Sequence, residues 1–455
     1  MPDPPNKSLR NPFFSRARSI AIWMDDWFYR STLLGEQVAE GPVVLVTNHT
    51  NGLVDVTQVT RATPRPLRAL AKYKIFGMPF LGWLARGIGA IPVYRKKDGV
   101  AMDGNLDAFA EAYAALAAGG LISVFPEGTS HSAPHLRPLK TGAARIALGA
   151  EESNDWKLGV RIQPVGIVYE ARDTWRSRVA TWVGAPIELG EWRDAHEADP
   201  RSAAQALTDR IERALREVTI NLERWEERAV LELADELLEP HAEQRPVRVR
   251  ALAEGLPWMR EHRPERAREL FARVESLGYR LAANNLSVAD LDREPGRGLW
   301  LRFLGRQLVA LCVGLPLLLL GWVSWGLPVL LMQGIAHLPL IPRDKYVTTL
   351  FLAGMVLLPL WWAGVCVAVG QWVGWSAAAG VGVGLLVLAW ALRLWWPKRW
   401  SALAELSVLL NWAPNRKLRS SLRTDRDAVV RDLEALYRMM RRQGLLGANE
   451  QRRGA

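Results

Sequence analysis

Residues 43–55 read VVLVTNHTNGLVD. The run Val43–Val46 is continuously apolar and mostly β-branched, the pattern of a buried strand. Asn51-Gly52 is a turn signal, and a helical apolar pattern opens at Asp55. The stretch therefore predicts strand, loop and helix, with His49 on the loop and Asp55 on the first helical turn. In an unbroken helix, positions i and i+6 point to different faces. The Asn-Gly turn is what lets these two side chains meet. His49 is the candidate general base, and Asp55 the group that would orient it.

Working outward, further strand-like runs occur at Arg68–Ala71, Ala90–Tyr94, Leu121–Phe125, Ile162–Tyr169 and Ala180–Val183. Helical stretches separate them, Ala101–Ala118 most clearly. Such alternation implies an α/β domain, a mixed sheet covered by helices, over residues 35–198. Residues 1–34 precede it. There Phe14, Ile20, Trp23 and Trp27 mix with Arg16, Arg18 and Arg30. This predicts an amphipathic helix, lying either on a membrane interface or on the core of the next domain. Residues 199–298 turn to Ala, Leu, Glu and Arg at 3.6-type spacing and predict an α-helical accessory domain.

A C-terminal helical membrane domain is expected over 299–398. Residues 347–369 and 376–396 each reach the roughly 20 apolar residues that cross the hydrocarbon. The stretch 308–335 is equally apolar but holds Pro316 and Pro328. Basic residues flank these stretches at Arg306, Arg343, Lys345, Lys398 and Arg399. The positive-inside rule puts them all in the cytoplasm only if 308–335 enters and returns as a re-entrant hairpin. Residues 399–455 then form a basic helical cytoplasmic tail, either solvated or resting on anionic headgroups.

The formal charge of +11 points to an anionic partner. Tryptophan occurs 21 times, much of it bordering the apolar stretches, which favours membrane lipids over nucleic acid, and no nucleic-acid motif is present. Cys312 and Cys366 sit inside apolar stretches and read as small hydrophobic residues. The first residues contain no apolar run of signal-peptide length, so the front of the chain is expected to stay cytoplasmic.

Three further stretches carry chemistry. GAIPVYR, residues 89–95, ends a strand on Arg95, placed to hold a phosphate bidentately. FPEGTS, residues 125–130, sets Glu127 at a strand's carboxyl end, with Gly128 leaving room for a close approach and Thr129 following. In LRPLKTGAARIA, residues 136–147, Lys140 precedes a helix N-terminus, a combination that makes an anion site. Glu127 has a second reading, as an acceptor for backbone amides of the next segment.

Together these stretches resemble the glycerolipid acyltransferase family, the enzymes that acylate glycerol 3-phosphate and lysophosphatidate. The family's four blocks appear in order as Asn48–Asp55, Gly89–Arg95, Phe125–Thr129 and Ile162–Tyr169. Five residues, Thr50 to Val54, separate His49 from Asp55, where the family's common spacing is four. Ser130-His131 follows Thr129, where the common block continues Arg-Ser. Both departures look like the yeast-type glycerol-3-phosphate/dihydroxyacetone-phosphate branch.

The resemblance implies that His49 takes a proton from an acceptor hydroxyl while Asp55 holds its tautomer. Arg95 and Lys140 would bind the acceptor phosphate, Glu127, Gly128 and Thr129 would line its pocket, and Ile162–Tyr169 would face the acyl chain. It also implies acyl-CoA or acyl-carrier protein as co-substrate, no metal or redox cofactor, and a cell (inner) membrane location with the catalytic domain on the cytoplasmic face. A lysophospholipid acceptor is the nearest alternative. A hydrolase using Ser130 or Ser132 lacks a nucleophile elbow. A transporter lacks charged groups at mid-membrane depth.

Overall fold

The computed structural model describes residues 12–94, 104–238, 245–292, 297–342, 345–407 and 415–442. It divides into two compact units, the first ending at Ile220 and including Pro342–Thr348, the second taking Asn221–Ile341 and Thr349 onward.

The first unit runs α1 (Pro12–Phe28), β1 (Arg30–Gly35), β2 (Val43–Thr47), α2 (Leu53–Ala62), β3 (Leu67–Lys72), α3 (Tyr73–Phe76), α4 (Pro79–Gly87) and β4 (Ile91–Val93). It continues with α5 (Gly104–Ala117), β5 (Leu121–Val124), α6 (Gly142–Glu152), β6 (Arg161–Tyr169), β7 (Arg178–Val183), β8 (Ile187–Glu188), α7 (Arg193–Ala198) and α8 (Pro200–Arg216). The eight strands form one sheet in the order β1-β7-β6-β2-β5-β3-β4, with β8 on β6. Strands β6, β2, β5, β3 and β4 are mutually parallel, while β7 runs against β6. The α/β expectation with a mixed sheet holds. Its centre is β2, every residue of which is buried between β5 and β6. A strand covered on both faces has no use for alternation, which is why it reads as an unbroken apolar run.

Two boundaries differ from expectation. The N-terminal segment is not helical to residue 34: α1 stops at Phe28, and Arg30–Gly35 joins the sheet beside β7. Of the two readings of α1, packing on the core is the one observed. Asp25 is fully buried and takes hydrogen bonds from Ser31, Gln58 and Arg61, the last two on α2. A carboxylate that accepts three donors is tolerable in an interior where an isolated one is not. The second difference is α8, which packs on α6 and β6 and so belongs with the sheet rather than with the accessory helices.

The second unit holds α9 (Glu226–Leu238), α10 (Arg245–His262), α11 (Pro264–Ala283), α12 (Arg297–Val309), α13 (Leu315–Ala336), most of α14 (Tyr346–Trp372), α15 (Trp375–Ser407) and α16 (Arg416–Arg442). Among the described residues, three helical stretches are long and apolar enough to cross a membrane: Phe303–Ala336, Tyr346–Trp372 and Trp375–Trp395. The chain is membrane-associated through them. Val373 and Gly374 alone separate α14 from α15, and the indole of Trp362 donates to the carbonyl of Gly382 across the pair at 3.0 Å.

The Pro-broken hairpin expected over 308–335 is replaced by one helical run. Residues 310–314 form a π-helical turn joining α12 to α13. Pro316 falls at the start of α13, where its missing N–H costs least, and Pro328 is absorbed inside the helix.

The basic tail also packs one face against the accessory helices. Leu422, Val429, Leu433 and Leu436 form a buried stripe on α16. Leu436 packs against Ala251, Leu256, Met259 and Ala267 of α10 and α11. Arg273–Asp432 at 2.9 Å and the pair Arg280–Asp425 fasten the same faces. Charged residues on α16 therefore mask a core stripe at spacings of seven, four and three. The change Leu422→Ala, at a fully buried position, should cost about 2–5 kcal/mol of stability in thermal or urea unfolding. A surface-lying tail would lose almost nothing.

Candidate active site

Parallel pairing sets the site. Val46 of β2 is level with Val124 of β5, and Thr47 with Val165 of β6, so β2 and β5 end at one edge while β6 runs on past them to Tyr169. Just beyond, the His49 ring stacks on Phe125 at 4.2 Å between centroids. The departure of β2 is pinned by Asn48, whose side chain exchanges two hydrogen bonds with the backbone of Ile167 on β6, at 2.9 and 2.7 Å. Gly52, at φ 56°, then turns the chain into α2. That φ is open to glycine at little cost, which explains the Asn-Gly pair.

The structure brings His49 and Asp55 together. His49 Nδ1 lies 2.9 Å from Asp55 Oδ2, with the imidazole partly exposed and the carboxylate wholly buried. The same oxygen accepts from the amides of Thr50 and Asn51 at 2.8 and 2.7 Å. Its partner Oδ1 accepts from the hydroxyl of Tyr169 at 2.8 Å. An acceptor-only carboxylate forces Nδ1 to carry the proton and leaves Nε2 with its lone pair bare. The N-terminal position of Asp55 on α2 favours its negative charge.

Glu127 turns its carboxylate toward the backbone, the second of its two readings. It is buried, with Oε1 accepting from the amide of His49 at 2.8 Å and Oε2 from the amide of Arg137 at 2.9 Å. Oε2 also receives the Nε2–H of buried His131, whose Nδ1 accepts from the amide of Ala133. The amide of His131 in turn donates to the carbonyl of His49 at 3.1 Å. Glu127 and His131 thus clamp the backbone of His49 from two sides. His131, four residues on in the same loop, is the less obvious member of the clamp. Its pairing with a carboxylate four residues away is visible in sequence only once the FPEG turn is known to fold back.

Gly128, at φ 71°, explains its own lack of a side chain: a β-carbon there would stand 2.6 Å from Lys140 Nζ. The ammonium passes directly over the turn, and the amide of Lys140 donates to the carbonyl of Pro126 at 2.9 Å. Lys140 is exposed and precedes α6, as expected, so a cation and a helix N-terminus adjoin the turn. Thr129 is half-buried beside it. Arg95 lies outside the described residues. The strand Ile162–Tyr169, expected to face an acyl chain, is almost wholly buried within the sheet, and its last residue holds Asp55.

Tyr169, Tyr29 and Arg172 are site residues the sequence reading missed. Burial, followed by the nearby carboxylates, drives both phenols well above their ordinary pKa, so each remains a donor. Tyr29 accepts from the Asn51 side chain at 2.9 Å and donates to the carbonyl of Arg172. The Arg172 guanidinium returns to the carbonyl of Thr50 at 3.0 Å and to the Ser132 hydroxyl at 2.7 Å. Among the described residues, no cluster of His, Cys, Asp and Glu is placed to hold a metal ion.

With this geometry in hand, the acyltransferase family matches residues 30–168, from the start of β1 almost to the end of β6. Residues 30–168 form an acyltransferase domain. Glycerol-3-phosphate O-acyltransferase 2 of Saccharomyces cerevisiae is 33% identical over 137 residues, 30% of this chain and 18% of that enzyme. Glycerol-3-phosphate O-acyltransferase 1 of the same yeast is 36% identical over 114 residues, 24% of this chain and 15% of the relative. The chain thus spans under a fifth of the length of these curated relatives. The 1-acyl-sn-glycerophosphate (LPA) acyltransferase PlsC of Thermotoga maritima overlaps 44% of this chain and 75% of its own at 20% identity and a TM-score of 0.30, too slight a likeness to build on.

Within the acyltransferase domain, Gly128→Ala tests the turn. Forcing an L-residue into the left-handed region costs about 1–2 kcal/mol, and the new methyl must displace the Lys140 ammonium. The variant should unfold earlier by that amount and bind inorganic phosphate more weakly in calorimetric titration. Unchanged stability would contradict the assigned backbone.

Proposed function

We propose that the protein transfers a fatty acyl group from an acyl thioester, either acyl-CoA or acyl-carrier protein, to glycerol 3-phosphate in phospholipid biosynthesis. The observation that carries this is the His49–Asp55 pair at the carboxyl edge of the sheet, beside an exposed lysine held over a glycine turn. The yeast relatives supply the choice of acceptor.

His49 Nε2, its lone pair kept bare by Asp55, takes the proton of the acceptor hydroxyl. A positioned base of this kind contributes roughly 10²–10⁴ in rate. The hydroxyl oxygen attacks the thioester carbonyl, a C–O bond forms, the C–S bond breaks, and the imidazolium returns its proton to the departing thiolate. Asp55 stabilises the transient imidazolium, as the carboxylate does in a serine triad, with the substrate alcohol in the place of serine. Lys140 and Arg95 hold the acceptor phosphate, with Thr129 beside them. No metal or redox cofactor is required for these steps. In this reading the catalytic unit works at the cytoplasmic face of the cell membrane.

Purified protein with a labelled acyl-CoA and a panel of acceptors tests the assignment. Glycerol 3-phosphate should be labelled and lysophosphatidate should not; the reverse result moves the enzyme to the second acylation. His49→Ala should abolish transfer while the variant folds and stays in the membrane, and retained turnover rules out the proposed base. Lys140→Ala should raise the acceptor KM more than it lowers kcat. An unchanged acceptor KM removes Lys140 from the phosphate site.

A further inference from the structure

The catalytic edge carries a second feature that neither the fold nor the proposed chemistry uses. Helices α3 and α4 leave the sheet where β3 ends, and β3 lies beside β5, whose end is the FPEG turn. They are built inside out for a soluble protein. Tyr73, Met78, Phe80 and Trp83 are between 42% and 55% exposed, whereas the buried residues of α4 are Gly82 and Ala85. A β-carbon on Gly82 would stand 2.4 Å from the carbonyl oxygen of Phe76, so small residues let the two helices close on each other. The large side chains are thereby turned outward. An amphipathic helix of a globular domain does the opposite. A contiguous exposed apolar patch marks an interaction surface.

The charge carried by this segment is of one sign. Between Asp55 and Asp98 the sequence has no acidic residue, and Lys74 and Arg86 are exposed among the aromatics. Arg86 is anchored by a hydrogen bond to the carbonyl of Phe76, which holds its charge at the rim of the face. Trp, Tyr and Phe interleaved with Lys and Arg are the residues that favour a membrane interface, where rings sit at headgroup level and cations meet anionic lipid.

We propose that the face formed by Tyr73, Met78, Phe80 and Trp83, with Lys74 and Arg86, docks onto the surface of an anionic bilayer. This is a contact of the first unit's own, additional to the apolar helices of the second. An acidic protein would satisfy the lysine and arginine but would have to bring a matching apolar surface for Phe80 and Trp83. A bilayer interface offers both at once, and the chain already carries helices of membrane-crossing length. The inference does not depend on the acyl-transfer reading.

The test measures depth rather than activity. In a full-length Cys312→Ser, Cys366→Ser background, single cysteines replace Phe80, Trp83 or the exposed Gln205 of α8 and carry a nitroxide label. The protein is reconstituted into vesicles of phosphatidylglycerol with phosphatidylcholine, or of phosphatidylcholine alone. In the anionic vesicles, labels at 80 and 83 should collide with oxygen and be shielded from a water-soluble nickel complex. Their depth should be about 5–10 Å into the headgroup/acyl boundary. The label at 205 should stay open to nickel, and Arg86→Glu should reduce the shielding at 83. Labels at 80 and 83 as open to nickel as the one at 205 would overturn the proposal. So would shielding that appears only in detergent after acyl-carrier protein is added, which would reassign the face to an acidic protein.

Discussion

One buried carboxylate organises the catalytic edge. Asp55 sits where an unpaired charge would be intolerable, and it is accommodated because four donors converge on it: an imidazole, a phenol and two amides of the loop it terminates. The two amides fix the path of the loop, the phenol comes from the neighbouring strand β6, and the remaining direction is left for His49. Turned round, the same arrangement dictates the histidine's tautomer and aim. Nothing about the ring itself is special; its orientation is the sum of what surrounds it.

That surrounding shell was only partly legible in the sequence. Strand β2 and the pairing of His49 with Asp55 could be read because a buried strand and an Asn-Gly turn are local signals. Lys140 ahead of α6 was readable for the same reason. Tyr169, Tyr29 and Arg172 lie 114, 22 and 122 residues from the groups they bind, and no local pattern encodes such a distance. Glu127 shows the converse limit. Its motif was found, but whether a carboxylate at a strand end faces the substrate or the backbone depends on what folds over it. Here the backbone amides of His49 and Arg137 occupy it.

The helical errors have a different origin. Residues 30–34 read as part of the preceding helix because Arg30, Leu33 and Leu34 suit either element, and only a sheet partner decides. Pro316 and Pro328 suggested a break, yet a helix start and a surrounding apolar helix each tolerate proline. For α16, counting arginines masked a four-residue apolar stripe. Charge density describes what a helix shows to water, whereas its periodicity describes what it hides.

The packing of α16 has a consequence for how the chain is threaded. Helices α10 and α11 come before the apolar segments and α16 comes after them, yet all three share one core. Parts that touch must lie in the same compartment, so the chain between them makes an even number of complete passages through the bilayer. Helices α14 and α15, joined by two residues, go out and back together. That constraint falls hardest on Phe303–Ala336, whose helical run continues without reversal over a length that could traverse both leaflets.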